Sequence, residues 1–368
     1  MTFKINLSFF SNSRSEFGLI NQIIQKLKKY KKFKYIIFLS GTHFSNKYGN
    51  SLNEIKFANI KYVKVFKYNL DIASEKNIIK NLSLNTISLS RIFKKIDNVI
   101  LFGDRIDLYP IALNCLIYNK KIIHFGGGEE TKGSIDNKVR KFISNLAELH
   151  FVSSNNYKKN LIKTGISKNK IFNVGTLSVN KKMLINNDIN NFEKKKNQKL
   201  ISLTYHPVNI NSSISAINQI KIILEALNTF KKKFFVIINS PGYEIKSEEI
   251  IKYINKWIKG KQNYQFYSSL GIDKYSNLIK NSKFIIGNSS SGVIMAPYFN
   301  TPSINIGNRQ DGRILHSSVI NSKLNKNEII LAINKILKKK KERKKLKYLL
   351  GSGDAAEKSA RIMNKILI

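Results

Sequence analysis

Short runs of apolar residues, four to eight long, recur along the chain, separated by longer stretches in which apolar positions return every three or four residues. The first pattern is that of buried strands and the second that of amphipathic helices. FKINLSFF, YIIFLS, NVILFG, KIIHFG and HFVSS are the strand candidates of the first half, and KLISLTYH, KFFVIINS, KFIIGN and PSINIG those of the second. Strands alternating with helices in this way predict an α/β fold, with parallel sheets wrapped by helices. Between the halves lies INNDINNFEKKKNQK, residues 185–199, polar and without periodicity, which reads as a linker. The expected organisation is therefore one αβ domain over residues 1–184, the linker 185–199, a second αβ domain over 200–350, and a turn with a closing helix over 351–368. Two such halves imply a ligand cleft outside the carboxyl ends of their strands.

Composition narrows the possibilities. The chain has 368 residues, enough for two domains that each bury a core. It contains no run of eighteen apolar residues and opens on MTFKINLSFF, a strand start, so a cytoplasmic protein without a membrane partner is expected. Its one cysteine, Cys115, excludes an internal disulfide and any cysteine-built metal site. The formal charge of +41 invites a nucleic-acid reading. The lysines, however, are spread along the whole chain, and the aromatic residues sit in apolar runs without alternating with basic ones. No nucleic-acid partner is expected; a basic surface instead draws in an anionic small substrate. KKKKERKK at 338–345 reads as the solvated face of a late helix.

Candidate chemistry gathers where the predicted strands end. SNSRSEFG carries Arg14 and Glu16, SGTHFS carries His43, LFGDRID carries Asp104 and Arg105, and HFGGGEETKGSID carries Glu129, Glu130 and Asp136. In the second half TYHP places His206 at a strand end, GNSSSG supplies Ser289, Ser290, Ser291 and Gly292, and NIGNRQDGR supplies Arg309 and Arg313. Any one of these is ordinary turn chemistry. Seven together at strand ends of one αβ chain point to a site, because loops at that edge hold the ligands of such folds. In FIIGNSSSGVIMAP a strand ending at Gly287 hands over to a helix starting near Ser291, which would aim free N–H groups and hydroxyls at an anion. Three carboxylates with arginines and an anion-binding helix start suggest acid/base work on a phosphate-bearing substrate. There is no HExxH, no GxGxxG and no GxxxxGK[ST], so neither a metal nor any other cofactor is expected.

The ordered series NSRSEFGL, FGDR, HFGGGEETKGSIDNKVR, TYHP, SSLG, GNSSSG and NIGNRQDGR resembles the hydrolysing UDP-N-acetylglucosamine 2-epimerases of sialic and legionaminic acid synthesis. The resemblance implies a GT-B-like fold of two Rossmann-type domains facing a central cleft, with the nucleotide held mainly by the second. It implies removal of the C2 proton of a UDP- or GDP-linked sugar, anti elimination of the nucleoside diphosphate to leave a 2-acetamidoglucal, and hydration to the free 2-epimer. By match of position, Asp104, Asp136 and His206 belong to the catalytic group. Arg14, Arg105, Ser289, Ser290 and Arg309 hold the diphosphate and its surroundings, and the backbone at Ser269 to Gly271 reads the base. A homodimer is the assembly common among relatives.

Several positions depart from the family pattern. Gly126 stands where Glu or His is usual, which makes Glu129 the nearest carboxylate to take over an acid/base task. Met295 replaces a Glu that holds the ribose hydroxyls, Lys141 replaces a His, and SPGYE at 240–244 replaces a PNAD-type loop. Two other readings stay open from sequence: a glycosyltransferase of the same fold, and a nucleotide-sugar-binding homologue with impaired catalysis.

Overall fold

The computed structural model describes residues 4–44, 52–65, 74–185, 192, 197–208, 213–242, 244–338 and 349–367. Most of the expected linker 185–199, and all but the first residue of the basic run at 338–345, lie outside them. Among the described residues, thirteen strands form two wholly parallel sheets. The chain divides into two compact units, one of residues 1–129, 135–180 and 350–368, the other of 130–134 and 181–349.

In the first unit the strands are β1 (Ile5–Ser11), β2 (Phe33–Leu39), β3 (Tyr62–Lys64), β4 (Asn98–Phe102), β5 (Lys121–Phe125), β6 (Leu149–Val152) and β7 (Ile171–Asn173), in spatial order β3-β2-β1-β4-β5-β6-β7. The central strands are covered on both faces, which is why they read as unbroken apolar runs. Alternate residues divide between two cores. Leu7, Phe9, Ile100 and Phe102 face the helices Arg14–Leu27 and Ala355–Ile366, while Phe10, Val99 and Leu101 face the opposite layer with Ile111 and Ile143. Phe9, Phe102, Phe125, Phe151 and Phe172 form a ladder across five strands, with successive ring centroids 6.5, 4.7, 4.6 and 5.6 Å apart. Stacked rings at these spacings are large, stiff and favourable, and they floor the loops that follow β4 and β5.

The helix Ala355–Ile366, far along the sequence, belongs to this first unit. Ala355, Ala360 and Met363 complete its core, and the Leu350 carbonyl accepts from Thr176 N at 2.7 Å.

The second unit contains β8 (Lys199–Thr204), β9 (Phe234–Asn239), β10 (Tyr264–Tyr267), β11 (Phe284–Gly287), β12 (Ser303–Ile306) and β13 (Val319–Ser322), ordered β10-β9-β8-β11-β12-β13. Ile201, Leu203, Val236, Ile238, Phe284 and Ile286 pack against helices Ala216–Asn228, Ser247–Ile258 and Lys326–Lys338. Both sheets have the doubly wound order in which direction reverses beside the first strand, between β1 and β4 and between β8 and β11. Such switch points open a crevice at the carboxyl edge. Each unit is thus a Rossmann-type domain, the pair that makes up the GT-B-like class.

Candidate active site

At the first switch point β1 ends in Ser11 and the helix Arg14–Leu27 begins three residues later. Glu16 folds back over its start, its Oε2 accepting from Asn12 N at 2.6 Å and Ser13 N at 3.1 Å. Burial raises the Glu16 carboxyl to about 7, against the opposing pull of the Arg105 charge and the backbone donors. Arg105, on the loop after β4, donates to Asp107 Oδ2 through Nη2 at 2.8 Å and Nε at 3.2 Å, and its Nε lies 3.7 Å from Glu16 Oε1. Burial works to lower the Arg105 pKa, but Asp107, Glu16 and, more weakly, Asp136 outweigh it and push it up, so its charge is secure. Arg14 is held below the usual arginine range by burial.

His43 has no exposed surface. Its Nε2 is 2.8 Å from Ser11 Oγ, its ring meets Phe17 edge-on, and burial first and Arg105 second lower it to about 4. It is a neutral support beneath the start of the helix.

Arg140, placed one turn after Asp136 on the helix Asp136–Leu146, is only 2% exposed. One of its nitrogens pairs with Asp104 Oδ2; the other donates to the Glu129 carbonyl at 2.8 Å and to Asn137 Oδ1 at 3.2 Å. Glu129 Oε1 accepts from Ser153 Oγ at 3.0 Å, just beyond the end of β6. Asp104 is thereby tied through its carboxylate, and Glu129 through its main-chain carbonyl, to one buried guanidinium, while Asp136 stands one turn earlier on the helix that carries it. The carbonyl preceding Asp104, that of Gly103, lies 2.8 Å from His124 Nε2. Burial lowers His124 to about 3, so the ring is neutral, donates from Nε2 and accepts from Ser144 Oγ at Nδ1, 3.1 Å away. Gly126 has φ +88°, and a Cβ there would stand 3.7 Å from Gly103 Cα.

At the second switch point β8 runs out into Tyr205, His206 and Pro207, while β11 runs out into Asn288 and the serines. Gly287 has φ +135°, and a Cβ on it would fall 1.9 Å from the Thr204 carbonyl oxygen. Only glycine permits this approach. Ser289 caps the helix Ser290–Ile294, one residue ahead of the start near Ser291 expected from sequence. Ser291 Oγ lies 3.0 Å from Ser289 Oγ and 2.6 Å from Tyr275 OH, whose ionisation burial pushes up. Arg309 donates to Glu244 Oε1 at 3.0 Å, and that same oxygen lies 3.0 Å from His206 Nδ1. Asn288, fully buried, ties His206, Arg309 and Gln310 together. Ser269 and Gly271 stand half-buried at the start of the helix Gly271–Asn281, which carries Tyr275. Arg313 closes the loop 308–313, on which the segment 130–134 lies, with Lys132 N donating to the Asp311 carbonyl at 2.8 Å. At that contact a Cβ on Gly133 would be 2.5 Å from Asn308 O, and one on Gly312 2.7 Å from Glu130 Cβ.

These motifs, at these strand ends, agree with a sequence profile described as UDP-N-acetylglucosamine 2-epimerase, which matches residues 25–364. The chain belongs to that family. A Campylobacter jejuni protein named GDP/UDP-N,N'-diacetylbacillosamine 2-epimerase (hydrolyzing) is 33% identical over 333 residues, covering 88% of this chain and 85% of its own. A Legionella pneumophila UDP-N,N'-diacetylbacillosamine 2-epimerase (hydrolyzing) is 25% identical, covering 97% and 95%. The fold matches the Methanocaldococcus jannaschii UDP-GlcNAc 2-epimerase in complex with UDP-GlcNAc and UDP, with a TM-score of 0.80, 20% identity and coverage of 98% and 100%. It also matches the Neisseria meningitidis UDP-GlcNAc 2-epimerase bound to UDP-GlcNAc, with a TM-score of 0.79, 17% identity and coverage of 99% and 100%.

Sequence reasoning left Arg140, Asn288, Glu244 and Tyr275 out of the candidate group. Arg140 closes the motif HFGGGEETKGSIDNKVR at i+4 from Asp136, a spacing that places both on one helix face. Glu244 closes SPGYE, and Asn288 sits inside GNSSSG.

Proposed function

We propose that this 2-epimerase is of the hydrolysing type and acts on a UDP- or GDP-linked 2-acetamido sugar. The observation that carries the reading is the pairing of the Asp104 carboxylate with the buried Arg140, whose guanidinium also holds the Glu129 main chain and whose helix begins at Asp136. A carboxylate of this group takes the C2 proton; the C–H electron pair forms the C1=C2 bond, and the C1–O bond breaks to release the nucleoside diphosphate. Water then adds its oxygen to C1, and a proton is returned to C2 from the opposite face, giving the free 2-epimer.

Arg140 keeps Asp104 oriented, and Arg105 and Arg14 supply positive charge beside the carboxylates. In the second unit, Arg309, Arg313 and the hydroxyls of Ser289 to Ser291 meet the charge that develops on the departing diphosphate, with Gly292, whose N–H is held by the Ser289 carbonyl at 3.1 Å, adding no side chain to block the approach. His206 is the proton carrier on that side, and the backbone of Ser269 to Gly271 contacts the base. His43 serves from beneath, through Ser11. Arginine and hydroxyl donors do the charge stabilisation, so activity is independent of added metal and survives chelator.

The enzyme works in the cytoplasm; among the described residues no helix is long and apolar enough to cross a membrane. A homodimer is favoured by the exposed Ile79, Leu84 and Ile87 on helix Glu75–Phe93 and by Leu116 and Ile117 on the neighbouring Tyr109–Ile117.

The test is incubation in D₂O with UDP-GlcNAc and with UDP- and GDP-linked 2,4-diacetamido-6-deoxy sugars, followed by NMR. Elimination and hydration place deuterium at C2 of a free sugar. A transferase would require an acceptor and keep hydrogen at C2, and a binding homologue would hold UDP without turnover; either result defeats the proposal.

A further inference from the structure

His206 is gripped through its backbone. Asn288 Oδ1 accepts from His206 N at 2.7 Å, and Asn288 Nδ2 donates to the His206 carbonyl at 2.8 Å. The two residues lie beyond adjacent strands whose last matched pair is Thr204 with Gly287. Past that pair one chain turns into Pro207 and the other toward the helix Ser290–Ile294, and the last main-chain bond between them is the one from Asn288 N to Thr204 O. The Asn288 carboxamide adds the missing rung. Of the neutral side chains only Asn and Gln offer a donor and an acceptor side by side, as this pairing requires, and Asn is the shorter.

Asn288 has three other ties. Its N donates to Thr204 O at 3.2 Å, and its carbonyl takes Gln310 Nε2 at 2.8 Å and Arg309 Nη1 at 3.5 Å. All three run through its main chain and survive a change of side chain. The side-chain bonds go to His206 alone. The imidazole is oriented separately, with Nδ1 3.0 Å from Glu244 Oε1 and 3.1 Å from Gly242 N.

We propose that Asn288 is a positioning residue of the reaction: its carboxamide sets His206 in register with the Ser289–Ser291 run and influences turnover through His206. The inference rests on the reading of His206 as a catalytic group.

The experiment compares Asn288→Ala, Asn288→Asp, His206→Gln and the double variant Asn288→Ala/His206→Gln in the full chain. It measures kcat and KM by diphosphate release, with single turnovers for slow variants, and UDP affinity by calorimetry. Displacement of a reacting group by about an ångström costs on the order of 10²-fold. Asn288→Ala should therefore lower kcat by about that factor, while the Kd for UDP stays within about threefold. Asn288→Asp keeps the bond from His206 N and loses the one to the carbonyl, so its kcat should fall by about tenfold. In the His206→Gln background Asn288→Ala should cost less than about twofold more, because the group it positions is gone.

A full additional loss in that background, or UDP affinity falling in step with kcat, would overturn the proposal and make Asn288 a structural part of the serine loop. Should Asn288→Ala fail to fold, Asn288→Asp carries the comparison, and an unchanged kcat there overturns the proposal equally. If His206→Gln turns over like the parent, the reading of His206 itself falls. If His206→Gln is crippled while both Asn288 variants are normal, only the positioning role falls.

Discussion

Two glycines five residues apart, Gly287 and Gly292, should respond oppositely to alanine. At Gly287 the backbone sits at φ +135°, a region open in practice only to glycine, and forcing another residue there costs about 1–3 kcal/mol. The new Cβ would also lie 1.9 Å from Thr204 O and 2.7 Å from Thr204 C, both backbone atoms of β8. Relief requires β11 to move by an ångström or more, which breaks the Gly287–Thr204 pairing and the bond from Asn288 N to Thr204 O. Each lost hydrogen bond adds about 1 kcal/mol, so the total reaches about 3–5 kcal/mol, a large part of a domain's stability. At Gly292, inside the helix Ser290–Ile294, a Cβ would meet only Ser303 Cβ, at 3.8 Å. Alanine there is neutral or stabilising by up to about 1 kcal/mol, since glycine is the poorer helix residue.

The chain has one tryptophan, Trp257, on the helix Ser247–Ile258 of the second unit, edge-on to Tyr264. Urea unfolding followed by its fluorescence therefore reports the unit that carries both glycines. A loss below about 1 kcal/mol for Gly287→Ala, or equal losses for the two variants, would refute the reasoning.

Three further outcomes are expected. Arg140→Met, which replaces a buried cation by an apolar chain, should preserve folding but cut kcat by at least about tenfold through Asp104 and Glu129, whereas Asp104→Asn, which strands that cation, should cost about 3–5 kcal/mol in urea unfolding. Glu16, raised to about 7 from an ordinary value of 4.5, contributes stability that is whole below pH 4.5 and is lost as pH rises through 7, so the stability difference between the parent and Glu16→Gln should shrink by on the order of 3 kcal/mol between pH 4.5 and 8. Gly133→Ala, whose Cβ would press to 2.5 Å from Asn308 O, should displace the segment 130–134 from the loop 308–313 and speed proteolysis near Lys132; an unchanged digestion pattern would count against that packing.

Nine of the thirteen strands can be read from the sequence, and the four that cannot are the four sheet edges. β3, β7, β10 and β13 are only three or four residues long and partly exposed, so they lack the continuous apolar run that marks a strand covered on both faces. The candidate site divides in a similar way. Residues at strand ends, such as Asp104, His206 and Ser289, are legible because a polar cluster interrupts an apolar run. The groups that hold them are not: Arg140 reaches Asp104 across 36 residues and Asn288 reaches His206 across 82, distances at which spacing carries no signal. His43 shows the reverse case. Within SGTHFS it looks like an accessible loop residue, yet the 3₁₀ turn Gly41–Phe44 carries it into the core.

The placement of Ala355–Ile366 bears on how the polypeptide matures on the ribosome. The apolar stripe of the helix Arg14–Leu27 is made long before its cover, which is encoded beyond residue 350. At about 5–20 residues per second, the intervening stretch takes on the order of ten seconds or more to translate. Through that interval the nascent first unit exposes a sticky seam, making it a natural client for chaperones and a place where premature termination yields aggregation-prone fragments.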